Sequence, residues 1–76
     1  MITTNERGLL VAIRDNEFND GNPLAKVWVD CIPGWTDKTK FGGTMASLVK
    51  KGLARTDGEV CWLTEVGLAV ANASAS

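Results

Sequence analysis

The reactive inventory of this 76-residue chain is small: two cysteines, nine carboxylates, eight cations and no histidine. Cys31 and Cys61 lie far apart, with no second thiol or imidazole near either. That is no zinc pattern, and two cysteines build no disulfide framework. They read as two small core residues in a reducing cytosol, with a Cys31–Cys61 bridge as the alternative that geometry decides. Without histidine, the usual near-neutral acid–base group is missing. No serine or cysteine has a base beside it, Gly42-Gly43 lacks phosphate-loop spacing, and the carboxylates are scattered. The chain is therefore not expected to be an enzyme, and it implies no cofactor or metal.

What remains is binding chemistry, and charge locates it. The net charge of −1 argues against an indiscriminate nucleic-acid binder. Its distribution is uneven. Glu6, Asp15, Glu17, Asp20 and Asp30 outweigh Arg7, Arg14 and Lys26 in residues 1–35, for a sum of −2. Lys38, Lys40, Lys50, Lys51 and Arg55 against Asp37 give residues 36–55 a sum of +4. Asp57, Glu59 and Glu65 leave residues 56–76 at −3.

The elements that must carry these residues are legible from capping and periodicity. Seventy-six residues allow one domain, near the lower limit for folding without staples. Thr3-Thr4-Asn5-Glu6 fits a capping box, and Leu9, Leu10 and Ile13 follow at helical spacing, which predicts a helix over about 4–17. Asn16 to Asn22 is turn chemistry. Asn22-Pro23 can cap a second helix, over about 23–32, with Leu24, Val27, Trp28, Cys31 and Ile32 on one face. A short strand at Val27-Trp28-Val29 competes, given its β-branched and aromatic residues. Pro33-Gly34 closes either element. Thr36 and Asp37 then open a third helix with the apolar stripe Phe41, Met45, Leu48 and Val49; Gly42-Gly43 inside it marks either an irregular start or a place of close backbone approach. Lys50, Lys51 and Gly52 end it. Asp57-Gly58 joins strands at Leu53–Thr56 and Glu59–Leu63. Thr64 caps a last helix containing Val66, Leu68, Ala69 and Val70, and the small residues from about 72 to 76 are expected to fray.

No apolar run is long enough to span a bilayer or to serve as a signal-peptide core, since the run Leu9 to Ile13 closes at Arg14. The chain therefore reads as a soluble cytoplasmic protein.

The stretch Leu48-Val49-Lys50-Lys51-Gly52-Leu53, followed by Leu63-Thr64-Glu65-Val66-Gly67, resembles the second half of a winged helix-turn-helix domain, the MarR-type regulators in particular. The likeness covers about a quarter of the chain, and the size is similar to that of small phage and mobile-element proteins. It implies an α+β fold: three helices, a two-stranded wing and a C-terminal helix, forming one domain over residues 1–76. It also implies a DNA-binding transcriptional regulator, with the helix at about 37–51 in the major groove. The nucleic-acid-binding residues would then be Thr36, Lys38, Thr39, Lys40, Gly43, Thr44, Ser47, Lys51 and Arg55. Of these, the lysines would meet phosphate and the hydroxyls base edges.

Several features depart from that family. The wing tip, Asp57-Gly58-Glu59, is acidic, with only Arg55 nearby. The flanking helices through which MarR-type proteins dimerise are missing, so a homodimer needs another surface. A protein-interaction adaptor without DNA binding is the alternative function.

Its surface would come from the tryptophans, of which there are three with no tyrosine. Trp28 is expected in the core. Trp35 lies in a loop and is a candidate contact. If Cys61 and Leu63 point inward, Val60 and Trp62 form a partly exposed docking or dimer surface; Trp62 as a core lid, with Cys61 outside, is the other arrangement.

Overall fold

A computed structural model describes residues 2–16, 19, 21–32 and 38–73, with backbone only for 38–40. The described residues form a small α+β domain with three α-helices and a three-stranded antiparallel sheet. In chain order the elements are α1 (Thr4–Arg14), β1 (Val27–Trp28), a 3₁₀ turn (Val29–Cys31), α2 (Lys38–Lys50), β2 (Ala54–Asp57), β3 (Val60–Leu63) and α3 (Glu65–Ala73).

The capping box forms as expected. The Glu6 N–H donates to Thr3 Oγ1 at 3.1 Å, and the Thr3 N–H donates to Glu6 Oε1 at 2.7 Å. α1 stops at Arg14, short of the expected 17, because asparagine side chains take over there. Asn19 Nδ2 donates to the Arg14 carbonyl at 2.8 Å, and Asn16 Nδ2 to the Cys31 carbonyl at 3.0 Å. Both asparagines are buried, so the turn is held from inside.

The expected helix over 23–32 is not formed; the competing strand is. Asn22 does cap, through Leu24 N–H to Asn22 Oδ1 at 3.0 Å and Ala25 N–H to the Asn22 carbonyl at 3.0 Å, but only for one turn. Val27 and Trp28 then pair with Cys61 and Val60. Their backbone groups find partners on the free side of β3, and Val27 is buried in the process. The sheet accordingly has three strands in the order β1-β3-β2, not the two of the expected wing. Because Val27 faces inward, Trp28 faces outward and is 56% exposed, which corrects its expected place in the core.

Leu9, Leu10 and Ile13 of α1, Met45 and Leu48 of α2, and Val27, Ala54, Cys61 and Leu63 of the sheet form one core with Ile32, Leu53 and Ala71. The helices cover one face of the sheet; the other, referred to as its open face, carries Trp28, Arg55 and Asp57 exposed and Val60 and Trp62 half-exposed. Burying each large aliphatic side chain here contributes roughly 1.5–3 kcal/mol.

The motif from Leu48 to Gly67 has a complete physical account. Gly52, at φ +75, ends α2: the Gly52 N–H donates to the Val49 carbonyl at 3.0 Å and the Leu53 N–H to the Leu48 carbonyl at 2.9 Å. The hairpin follows, turning on Gly58-Glu59 with Gly58 at φ +63, one residue later than Asp57-Gly58 suggests, because Asp57 pairs with Val60. At its base the Thr64 N–H donates to the Leu53 carbonyl at 3.2 Å. The Thr64 hydroxyl donates to the Gly52 carbonyl at 2.7 Å and accepts the Gly67 N–H at 3.0 Å. A Cβ on Gly67 would overlap the Leu53 carbonyl, so α3 approaches this closely only with glycine there. α3 stays helical to Ala73, past the expected onset of fraying, helped by Arg14 Nη1 donating to the Ala71 carbonyl at 3.3 Å.

Candidate nucleic-acid interface

Glu6 does more than cap α1. It is 2% exposed, and its carboxylate gathers three donors: the Thr3 N–H, Ser47 Oγ at 2.6 Å and Lys51 Nζ at 2.8 Å. Lys51 above all, then Ser47 and the Thr3 backbone, pull its pKa from 4.5 to about 2, against the opposing effect of burial. α1 and α2 are joined by a buried, fully satisfied carboxylate.

This changes the face that α2 presents. Thr44 is buried, and Ser47 is half-buried with its hydroxyl on Glu6 of α1. Lys51 remains partly exposed, but its charge is matched by Glu6. Two of the residues expected at a DNA contact, Ser47 and Lys51, are thus tied to α1, and a third, Thr44, is buried. The open face of α2 carries Gly42, Gly43, Ala46, Val49 and Lys50 instead, and a Cβ on either glycine would meet no atom within 4 Å. Among the described residues, nothing outside α2 packs close to the backbone at the paired glycines.

The remaining expected residues divide as follows. Lys38, Thr39 and Lys40 occupy the first turn of α2. Thr36 and Trp35 lie outside the described residues. Arg55 is exposed on β2, across from Trp62 rather than beside α2's open face. Cys61 and Leu63 point inward, so Val60 and Trp62 are half-exposed on the open face of the sheet.

Two residues join this second surface that the sequence did not single out. Trp28 stands across from Val60, and Lys26 places its ammonium 4.8 Å from the centre of the Trp62 ring. The strand alternation at Val27-Trp28-Val29 is the signal that could have found Trp28. For Glu6, the signal was that a cap uses only part of a carboxylate's accepting capacity.

Both cysteines are free thiols, Cys31 half-buried and Cys61 buried. Burial pushes the Cys61 pKa up to about 11, which makes it a poor nucleophile at neutral pH. Among the described residues no group of three or more histidine, cysteine or acidic side chains could hold a metal, and no helix is long and apolar enough to cross a membrane.

Comparison of the chain with family models, curated proteins and solved structures finds no match.

Proposed function

We propose that the protein is a DNA-binding domain of winged-helix type that grips duplex phosphates through α2, in the role of a small regulator that its resemblance to MarR-type proteins implies. The observation that carries this reading is that α2 holds Lys38, Lys40 and Lys50 and no acidic residue, and that its exposed residues between them include Gly42, Gly43 and Ala46. Lys38 and Lys40 sit in the first turn of α2, and the N-terminal end of a helix favours an anion. Lys50 is exposed at the other end, and the glycines between let a sugar–phosphate backbone approach closely. The same face is poor in base-reading side chains, so the binding is expected to discriminate weakly among sequences.

Three lysine–phosphate contacts predict a log–log salt slope of about −2.7, or roughly 40-fold weaker binding between about 50 and about 200 mM salt. The test is an amide chemical-shift titration of labelled protein with a mixed-sequence duplex at both salts. Salt-sensitive shifts centred on α2, lost in a K38E/K40E/K50E variant that keeps its fold, support the reading. Binding that ignores those three changes overturns it. Lys51 is left out of the variant because a carboxylate there would face Glu6 and unsettle the fold.

The exposed Trp28 favours a second reading, a protein-docking adaptor that does not bind DNA. No shifts at low salt would favour that reading.

A further inference from the structure

The open face of the sheet is ordered into two cross-strand rows. Lys26, Trp62 and Arg55 form one, since Lys26 covers the Trp62 ring and Arg55 is the cross-strand partner of Trp62. Trp28, Val60 and Asp57 form the other, since Val60 pairs with Trp28 on one side and Asp57 on the other. Neighbours within a row are ~4.8 Å apart, and the rows are ~6.8 Å apart along β3. The first row is basic and aromatic; the second is apolar and acidic. Trp28, Arg55 and Asp57 are exposed, and Val60 and Trp62 half-exposed.

We propose that this face pairs with the same face of a second copy, about a two-fold axis that runs across the strands midway between the rows. That operation keeps each residue's position across the strands and exchanges the rows. Lys26 then moves its ammonium from the Trp62 ring of its own chain to the Trp28 ring of the second copy, which leaves Trp62 against Val60 and Arg55 against Asp57, and each contact is made twice. The face is complementary to itself in charge as well as in apolar character, which is the requirement of a closed, isologous dimer. It suits an acidic or a basic partner less well, because one row would oppose it. The lysine–tryptophan and arginine–aspartate contacts fix the register, while Trp62 and Val60 supply the apolar centre. α2 is on the far side of the core, so both copies keep that helix free.

The face is small. Three short strands offer less than the ~800 Å² per partner of a standard interface, so the dimer is of the weak, transient class.

Sedimentation equilibrium of the full chain, run from low micromolar up to about 1 mM, tests the proposal. The expected result is a mass rising reversibly toward the dimer. R55D alone and D57R alone each set like charges opposite one another twice, and each should weaken association by about tenfold or more. The double variant R55D/D57R restores opposite charges and should recover wild-type association, while W28A should remove it. All of these positions are exposed, so circular dichroism should show an unchanged fold. A chain that stays monomeric at about 1 mM overturns the proposal. So does a dimer that is indifferent to the single charge changes, or one that the double variant fails to rescue.

Discussion

Replacing Glu6 by Gln tests whether the α1–α2 junction is held by a buried charge. The folded carboxyl has a pKa of about 2 against 4.5 in the unfolded chain. At about 1.4 kcal/mol per unit, that depression is worth about 3 kcal/mol of stability above the unfolded value. Because the folded pKa is the lower one, this stabilisation is present at neutral pH and is lost as pH falls from 4.5 toward 2. Lys51 is partly open to water, so screening trims the figure, toward about 2 kcal/mol. Gln keeps the shape of the side chain and one acceptor for the Thr3 N–H, but it turns an amide donor toward Ser47 or Lys51. Urea unfolding of wild type and E6Q should therefore differ by roughly 2–3 kcal/mol at pH 7, or roughly 10–20 °C in Tm for a domain of this size. Near pH 2.5 the two proteins should converge to within about 1 kcal/mol. A gap below about 1 kcal/mol at neutral pH, or one that does not close on acidification, would refute the account of Glu6 as a charged tie.

Glycines at three positions should respond in opposite directions. G67A forces a methyl into the Leu53 carbonyl and should destabilise by about 3 kcal/mol or more in thermal unfolding. G42A and G43A, on an open helix face, should each stabilise by about 0.5–1 kcal/mol, and a loss in either would contradict the empty space around them. A thiol reagent at neutral pH should modify half-buried Cys31 first and reach Cys61 only through unfolding, so equal rates for the two would contradict the burial of Cys61.

The part of the chain from Leu48 onward was legible because its signals are local. A capping glycine, a turn glycine and a threonine before a helix each act within a few residues. The same locality explains the failure at 23–32. Apolar spacing there fits a helix, but the free edge of β3 is contributed by residues far along the chain, and only the folded sheet reveals it. The candidate site was harder still. Ser47 and Lys51 look like solvent-facing contacts until Glu6, remote in sequence, takes both. The open sheet face depended on how β1 pairs, so Trp28 was placed on the wrong side together with its element.

The clasp at the hairpin base also bears on the order of folding. Leu53 and Thr64 are close in sequence, and closing so short a segment takes on the order of 10–100 ns. The contacts that follow, Thr64 to Gly52 and Gly67 against Leu53, are equally local. Early closure is therefore cheap for α2, the hairpin and the start of α3, whereas β1 and α1 must cross much longer separations to reach Cys61 and Lys51. These separations predict that the C-terminal half forms first and that Glu6 fastens the N-terminal helix onto it late. In native-state hydrogen exchange, the amides of α1 should open at lower free energy than those of β2 and β3.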